Sequence, residues 1–450
     1  MNIKQLQLIL FYLLLFVPGS FMAGQTENKT TNPLTGDSLT LSQVMQVVLE
    51  NHPSVKQAEE ALNAADARIG LAKANYYPEI DATASYSYLN PDFALSLSKD
   101  GPSLLLYAKN NYSAALNVNQ TIYDFGKTSN GIKVENENKT IANKNIDFIK
   151  KQLTVTTINT FYLLVYFQQA VSIKDEELNT LNEHLLYIEK KQATGSATQY
   201  ELLSTKVRIS NTENQKEDLI TSQDIQWSVL NTLTGVVAQK GQHLKQELKV
   251  DQPVLLADSL VNYAFDHRIE LAIAKEKETK AQLNFEVVKT QNSPVLSAFG
   301  SGGYKNGYLA RLEASALDQL YLNYIVGVGL KVPIFDSNRH KYNMDQAKSD
   351  ITSSGYDTDI ERRNITNEVT EADVNCIAAK KKIDQYHLQL DQAQEAYQLA
   401  KVNFDSGAIT NLDLLDSETA VSESKLLLLK ANIDYIVYSY KLKIALGDKF

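Results

Sequence analysis

The chain has 450 residues, a formal net charge of −9 at pH 7 and 44% hydrophobic residues, a mildly acidic balance that argues against a nucleic-acid-binding protein. Glycine (19) and proline (9) are scarce, which favours long helices over a loop-rich enzyme. The single cysteine, Cys376, excludes an internal disulfide and a cysteine-rich metal site, and the six histidines lack metal-ligand spacing. We therefore expect no enzymatic activity, no cofactor and no bound metal.

The N-terminus has the pattern of a secretory signal peptide over residues 1–24. Lys4 precedes an apolar run from Leu6 to Val17, and small residues follow that run. The run is too short to span a bilayer comfortably, although an N-terminal membrane anchor is the alternative. Residues 25–38 are expected to be a linker, and no apolar run of about 18 residues follows it. The mature protein is therefore expected either to be soluble outside the cytoplasm or to enter a membrane as strands.

The sequence contains two copies of one unit. A shift of 216 residues aligns Asn51–Tyr88 with His267–Tyr304, and a shift of 212 aligns Tyr112–Gly235 with Tyr324–Gly447. Because the turn and helix signals recur in the same order, the match indicates a duplication rather than chance. The predicted organisation is repeat 1 over residues 39–235, an inter-repeat linker over 236–254 and repeat 2 over 255–447.

Each copy is predicted to carry two strands joined by a loop. The segments alternate apolar and polar residues with a period of two, as at Leu322, Tyr324 and Val326. A length of about ten residues with one apolar face is typical of strands that cross a membrane. The strands are predicted at about 78–89 and 111–123 in repeat 1, and at about 294–305 and 321–335 in repeat 2.

The remainder of each copy is predicted to be helical. A turn at Gly195 in repeat 1, and at Gly407 in repeat 2, separates a long helix from a shorter one. A helix over residues 132–193 would be roughly 93 Å long, and two shorter helices stacked end to end match it. Each copy is thus expected to form a pillar two helices wide and about 90 Å tall. Asp124 and Asp336, at the ends of strands, are predicted to cap the long helices. The helical runs are 53–77, 126–193 and 198–234 in repeat 1, and 339–406 and 410–446 in repeat 2.

The strands constrain the assembly. Four strands do not close a barrel, and an open sheet edge is not tolerated in hydrocarbon. If the strands lie in a membrane, several chains must pool them, and twelve strands from three chains suit a conducting pore better than eight from two. The alternative is a soluble periplasmic coiled-coil adaptor or structural stalk protein, in which the hairpins cap the helices.

These features together resemble the TolC-like outer-membrane efflux proteins over about residues 37–448. The duplication carries the resemblance, together with NHPSV (51–55), HRIEL (267–271), IYDFGK (122–127), VPIFDSNR (332–339) and the turns TGSATQYELL and SGAITNLDLLD. The resemblance implies a mainly α-helical fold with a membrane β-barrel contribution: a homotrimer in the outer membrane with a twelve-stranded barrel and an α-helical tunnel in the periplasm. It implies passive export of small molecules or proteins, and contact with outer-membrane lipid, a periplasmic adaptor and an inner-membrane pump. A metal-exporting member is a weaker alternative, because no histidine or methionine cluster supports it.

The resemblance also implies a gate at the helical tips. An aspartate pair that lines the narrowest point in the family falls on Asp413 and Asp416. The family pattern has an arginine where Ile409 stands, so an arginine–carboxylate lock to Glu201 is not available here, and it has a tyrosine where Phe404 stands. The residues implied to lock the closed state are Glu201, Tyr200, Phe404 and Ile409. The tip turns, implied to contact the adaptor, comprise Thr194, Gly195, Ser196, Ser406, Gly407 and Ala408.

Asp413 and Asp416 have two interpretations. Acids in the first turn of a helix are stabilised by the helix dipole and commonly face solvent. In a trimer, however, the two positions would give six carboxylates, and mutual repulsion would raise their pKa values and attract cations. The second interpretation predicts a preference for cationic permeants and block by multivalent cations.

Overall fold

The computed structural model describes residues 38–91, 94–96, 103–105, 107–237, 242–245, 257–306 and 317–448. The predicted signal peptide, nearly all of the N-terminal linker and most of the inter-repeat linker lie outside the described residues. The first elements are β1 Ser38–Thr40, α1 Leu41–Asn51, α2 Pro53–Ala74, β2 Glu79–Tyr88, β3 Ala94–Ser96, β4 Ser103–Leu105, β5 Asn110–Tyr123, α3 Lys127–Ala193 and α4 Gln199–Thr234. They are followed by β6 His243–Lys245, α5 Ala257–His267, α6 Ile269–Lys289, β7 Val295–Lys305, β8 Tyr321–Lys331, α7 Arg339–Asp405 and α8 Asn411–Leu446.

The longest helices in the described structure are α3 and α7, with 67 residues each. Each is about 100 Å long at 1.5 Å per residue. Helices α2 and α4 both pack on α3, and α6 and α8 both pack on α7, so each repeat places two shorter helices beside one long one. Contacts of α3 with α6 and with α8 join the two repeats.

Two elements are shorter than the sequence pattern predicts, and proline accounts for both ends. Helix α2 ends at Ala74 rather than at 77, with Asn75 as its C-cap and Pro78 just beyond. Strand β8 ends at Lys331 rather than at 335, because Pro333 lacks the N–H that a sheet ladder requires. The segment between β2 and β5, predicted to be a loop, contains the short antiparallel pair β3–β4.

The four long strands form one antiparallel sheet in the order β2-β5-β7-β8. The hairpin of one repeat therefore joins that of the other through β5 and β7, with Leu116 opposite Gly302 and Asn117 opposite Ser301. Gly303 is needed at this seam, because a Cβ there would lie 2.1 Å from the Ala114 carbonyl oxygen. Among the described residues, β2 and β8 each have one strand neighbour and one unpaired edge.

The two faces of this sheet differ in chemistry. On one face the side chains are apolar and exposed, including Tyr324 and Val326, which are 81% and 82% exposed. On the other face Asn117 Nδ2 donates to Asp81 Oδ2 (2.8 Å), and Ser301 Oγ donates to Asn117 Oδ1 (2.8 Å). The sheet thus has one apolar surface and one surface on which polar side chains are hydrogen-bonded to one another.

The main hydrophobic core lies where α1, α3, α4 and α8 meet. Phe161 and Tyr162 of α3 are fully buried there, beside Trp227 and Leu230 of α4. A three-residue parallel pairing of β1 with β6, which the sequence did not predict, closes one side of this core through Leu39 and Leu244.

A second core joins α5, α6, α7 and α8 around a buried arginine. Arg268 is 2% exposed, pairs with Glu270 (2.8 Å) and Glu368 (2.6 Å), and donates to the Ala445 carbonyl oxygen (3.0 Å). Paired in this way, its buried charge links α6 to both α7 and α8.

Candidate functional site: the helical tips

Both long helices end in the same glycine turn. Gly195 and Gly407 have φ values of +73° and +75°, a left-handed conformation that favours glycine. The N–H of Ser196 donates to the Lys191 carbonyl (2.8 Å), and the N–H of Ala408 donates to the Asn403 carbonyl (2.8 Å), which closes a Schellman motif in each copy. Thr194 and Ser406 cap these turns with hydroxyls that donate to Lys191 O and Asn403 O, respectively, and all six tip-turn residues are exposed.

The acids just beyond the turns belong to capping boxes. Thr198 Oγ1 accepts from the N–H of Glu201 (3.2 Å), and Glu201 Oε2 accepts from the N–H of Thr198 (2.6 Å). Thr410 and Asp413 repeat this arrangement at the start of α8, at 3.3 and 2.9 Å. The Thr410 side chain, followed by its backbone N–H, lowers the pKa of Asp413. In the single chain Asp413 is therefore a helix cap as well as an exposed negative charge.

A small apolar cluster holds the tips together. Phe404 is buried and packs with Ile188, Leu202 and Leu414, while Ile409 covers the edge of the cluster. The predicted lock residue Phe404 thus lies inside the tip of its own chain. Tyr200, in contrast, is 71% exposed.

Asn411, which the sequence analysis did not single out, joins three helices at the tip. It is 2% exposed and is the first residue of α8. Its Nδ2 donates to Thr205 Oγ1 (3.1 Å) and to the Glu201 carbonyl (3.3 Å) of α4. Its Oδ1 accepts from Nε2 of His184 on α3 (2.6 Å), and burial lowers the pKa of that imidazole. Asn411 therefore ties the second tip to the first through neutral hydrogen bonds.

Asp416 is also engaged by the first repeat. Nη2 of Arg208 on α4 lies 2.5 Å from Asp416 Oδ1. The arginine side chain is 26% exposed and the aspartate side chain is 61% exposed. A charge-assisted bond therefore links α4 to α8 one turn beyond the Asp413 cap.

A buried polar cluster lies further along the same helices. Glu177 Oε2 accepts from Lys174 Nζ (2.7 Å) and from Ser422 Oγ (2.5 Å), and all three residues are buried. Glu418 is 7% exposed, and its Oε1 has no hydrogen-bond partner within the described part of the chain. Burial, with a contribution from the Glu177 charge, raises the pKa of Glu418 to about 8 against the opposing effect of Arg208.

The two predicted caps at the other end of the long helices occupy equivalent positions. Asp124 Oδ2 accepts from the N–H of Thr128 (2.7 Å), and Asp336 Oδ2 accepts from the N–H of His340 (2.9 Å). Each carboxylate thereby satisfies a free N–H in the first turn of α3 or α7. These residues lie at the sheet end of the pillars, away from the tips.

The sequence contains a weak signal of the Arg208–Asp416 pair. A shift of 212 places Ser204 opposite Asp416, and Arg208 follows Ser204 by one helical turn. If the tips of the two repeats pack with matching heights, an arginine one turn along faces the aspartate. The burial of Asn411 has no such signal, because it depends on the distance between α3 and α4.

Within the described ranges, no helix is long and apolar enough to cross a membrane. Among the same residues, no group of three or more histidine, cysteine, aspartate or glutamate side chains is arranged to hold a metal ion. The polar contacts at the tip include the Arg208–Asp416 ion pair, two capping boxes and the hydrogen bonds of Asn411.

Comparison with known proteins places this fold in a family. A family model described as "Outer membrane efflux protein" matches residues 44–236 and 260–448. The chain is similar to outer membrane protein TolC of Salmonella enteritidis, with 20% identity over 411 residues that cover 90% of this chain and 82% of that protein. It is similar to the cation efflux system protein CusC of Escherichia coli O157:H7, with 23% identity over 406 residues, 89% of this chain and 84% of that protein. The crystal structure of the Campylobacter jejuni CmeC outer membrane channel matches with a TM-score of 0.77 at 18% identity, over 94% of this chain and 90% of that one.

Proposed function

Because the chain belongs to the outer membrane efflux protein family, we propose that three copies assemble into one duct that is gated at its helical tips. The chain itself is an outer-membrane efflux channel protein and not an enzyme. The family match also overturns the alternative of a soluble periplasmic adaptor or stalk. We further propose that the channel works with an inner-membrane pump and with a periplasmic adaptor that contacts the exposed tip turns.

The sheet carries the proposal of a trimer. It has four strands, an exposed apolar face and unpaired edges at β2 and β8. Unpaired backbone groups are costly in hydrocarbon, so β2 of one copy would pair with β8 of the next. Three copies give twelve strands, which leaves a conducting interior, whereas two copies give eight and fill it with side chains.

Exposed apolar side chains on the helices support the same assembly. Helix α7 has a series of apolar side chains that are more than half exposed in the single chain, including Ile360, Val374 and Val402. Helix α4 has a second series, including Leu203 and Val207. Burying one series against the other in a neighbouring copy would remove both from water.

The mass of the detergent-solubilised complex tests the trimer. We expect light scattering, corrected for bound detergent, to give three times the mass of one mature chain, which is 50.3 kDa less the predicted signal peptide. Val374→Glu places a charge in the proposed helical interface and should shift the complex towards monomer. Lys382→Glu, at an exposed polar position on the same helix, is the control. A monomeric or dimeric wild-type protein would rule out the twelve-stranded duct.

Asp413 and Asp416 are the proposed charge-bearing residues of the gate. Both lie at the tip of α8, and neither is buried in the single chain. Asparagine is the informative substitution, because it removes the charge at Asp413 while keeping an oxygen that can cap α8. In single-channel recordings, Asp413→Asn/Asp416→Asn should reduce cation selectivity and weaken block by hexaamminecobalt(III). Glu423→Gln, at an exposed position on the same helix, should change neither. Unchanged selectivity and block in the double variant would contradict the gate.

A further inference from the structure

The carboxylates at the tip are not equivalent in this chain. Within the described part of the chain, the Asp413 side chain bonds only to Thr410 of its own capping box, whereas Asp416 lies 2.5 Å from Nη2 of Arg208 on another helix. A guanidinium stays charged at any pH at which the protein is folded. The negative charge of Asp416 is therefore compensated within its own chain, and that of Asp413 is not.

The surroundings of Arg208 leave Asp416 as its partner. Arg208 also acts electrostatically on Glu418 of α8, and Glu418 is in turn close to Glu177 of α3. Glu418 is buried and holds its proton near neutral pH, and Glu177 is already bonded to Lys174 and Ser422. Asp416 is thus the exposed carboxylate within hydrogen-bonding distance of the guanidinium.

The pair belongs to a sparse contact between the two repeats. Helices α4 and α8 contact one another much less than each contacts its own long helix, and near the tip they are joined by side-chain bonds. Asn411 supplies the neutral bonds of that contact, and Arg208–Asp416 supplies the ionic one. The duplication does not provide this bond twice, because Ser204 and Ala420 occupy the equivalent positions.

From these observations we propose that Arg208 is a specificity-determining residue of the channel, which neutralises Asp416 and leaves Asp413 as the cation-attracting group of the gate. The inference rests on the proposed tip gate and goes beyond it by assigning unequal roles to its two aspartates. In a three-chain assembly the tip then carries three uncompensated carboxylates and three ion pairs, instead of a ring of six free charges. The family pattern has an arginine where Ile409 stands. In this chain the positive charge near the gate is instead Arg208 of α4.

A double-mutant cycle that removes the two charges, followed in single-channel recordings, tests this assignment. Arg208→Gln removes the charge and keeps a polar side chain, so Asp416 is released and block by hexaamminecobalt(III) should strengthen by about tenfold. Arg208→Lys keeps the charge and should stay within about threefold of the wild type. In the Asp416→Asn background no carboxylate is left to release, so the effect of Arg208→Gln should fall to less than about threefold.

The outcomes separate this inference from the gate itself. If Asp413→Asn weakens block but Arg208→Gln leaves block and selectivity unchanged, the gate stands and the role of Arg208 is refuted. An equal effect of Arg208→Gln with and without Asp416 would also refute it, because the arginine would then act through its general field. If Asp413→Asn has no effect while Arg208→Gln strengthens block only when Asp416 is present, the ion pair is real and the role of Asp413 is wrong. All comparisons use assembled channels inserted in planar bilayers, so a variant that folds poorly changes the number of channels and not the block constant.

Discussion

Replacing Glu418 by glutamine should change how stability depends on pH. The Glu418 side chain of α8 is almost fully buried beside α3 and α7, and its Oε1 has no hydrogen-bond partner among the described residues. Burial first, and the nearby Glu177 charge second, raise its pKa from 4.5 to about 8, while Arg208 acts in the opposite direction. Glutamine has nearly the same shape and cannot ionise, so Glu418→Gln removes the titration and little else.

The sign and size of the pH effect on the free energy of unfolding follow from the linkage between proton binding and folding. The folded-state pKa of Glu418 lies above its unfolded value, so the associated stability is complete below about pH 4.5 and is lost as the pH rises through about 8. At 1.36 kcal/mol for each unit of pKa, the upper bound is about 5 kcal/mol. A cavity of about 550 Å³ lies beside Glu418, and water in it would lower the cost of ionisation. We therefore expect a loss of a few kcal/mol in the wild type that the variant does not share.

Thermal unfolding at several pH values measures this difference. Between pH 5.5 and 9 the apparent Tm of the wild type, followed by circular dichroism in detergent, should fall further than that of Glu418→Gln. The two proteins should differ most at the alkaline end, where the variant is the more stable. Glu423→Gln removes an exposed carboxylate from the same helix and should behave as the wild type. Parallel Tm curves for the wild type and Glu418→Gln would refute a buried, protonated Glu418.

Three further substitutions test other parts of the structure. Asn411→Ala leaves buried polar groups of three helices unpaired and should cost about 1–3 kcal/mol, seen as faster proteolysis at the tip, whereas Gln199→Ala at the equivalent, exposed position of repeat 1 should cost little. Gly303→Ala would place a Cβ 2.1 Å from the Ala114 carbonyl oxygen and should reduce the fraction of protein that resists unfolding in dodecyl sulfate at room temperature. Gly300→Ala, whose Cβ would be 3.8 Å from its nearest neighbour, should retain that fraction and so distinguishes the seam from a general effect of glycine. Arg268→Met removes a buried charge that pairs with Glu270 and Glu368, but Glu270 keeps Lys151 as a partner, so stability should fall by about 1–3 kcal/mol in the same thermal assay. An unchanged Tm would mean that the two arginine pairs do not hold α6 to α7 and α8.

Local signals in the sequence were sufficient for the fold class, and the predicted mainly helical, duplicated architecture with strand hairpins is confirmed. Period-two alternation is strong in strands of about ten residues, and the glycine turns at Gly195 and Gly407 end long helices that contain no proline. The β1–β6 pairing escaped prediction because three residues are too few to show a period. The predicted ends of α2 and β8 were wrong because a nearby proline has a stronger effect on where an element ends than the hydrophobic pattern that precedes it.

The candidate site was less accessible to sequence reasoning. The resemblance predicted Asp413, Asp416 and Glu201 as gate residues. Which residues they contact depends on the distances between α3, α4 and α8, which the sequence does not show. Asn411 looks like an ordinary polar residue at a helix start, and only the packing of three helices buries it.

The duplication separates what the fold requires from what the second tip adds. Glu201 and Asp413 occupy equivalent positions and make the same capping box, so an acid at that position is explained by helix initiation alone. Asp416 and Arg208 have no charged counterparts in the other copy, since Ser204 and Ala420 stand there. A helix start does not need either of them, and their mutual bond is the ionic link between α4 and α8 near the tip. Among the described residues, the acid that initiates the helix therefore makes no ion pair, while the acid that folding does not require is held by an arginine. Unequal roles for two neighbouring aspartates follow from this arrangement, and they would be lost if Arg208 were replaced by an uncharged residue.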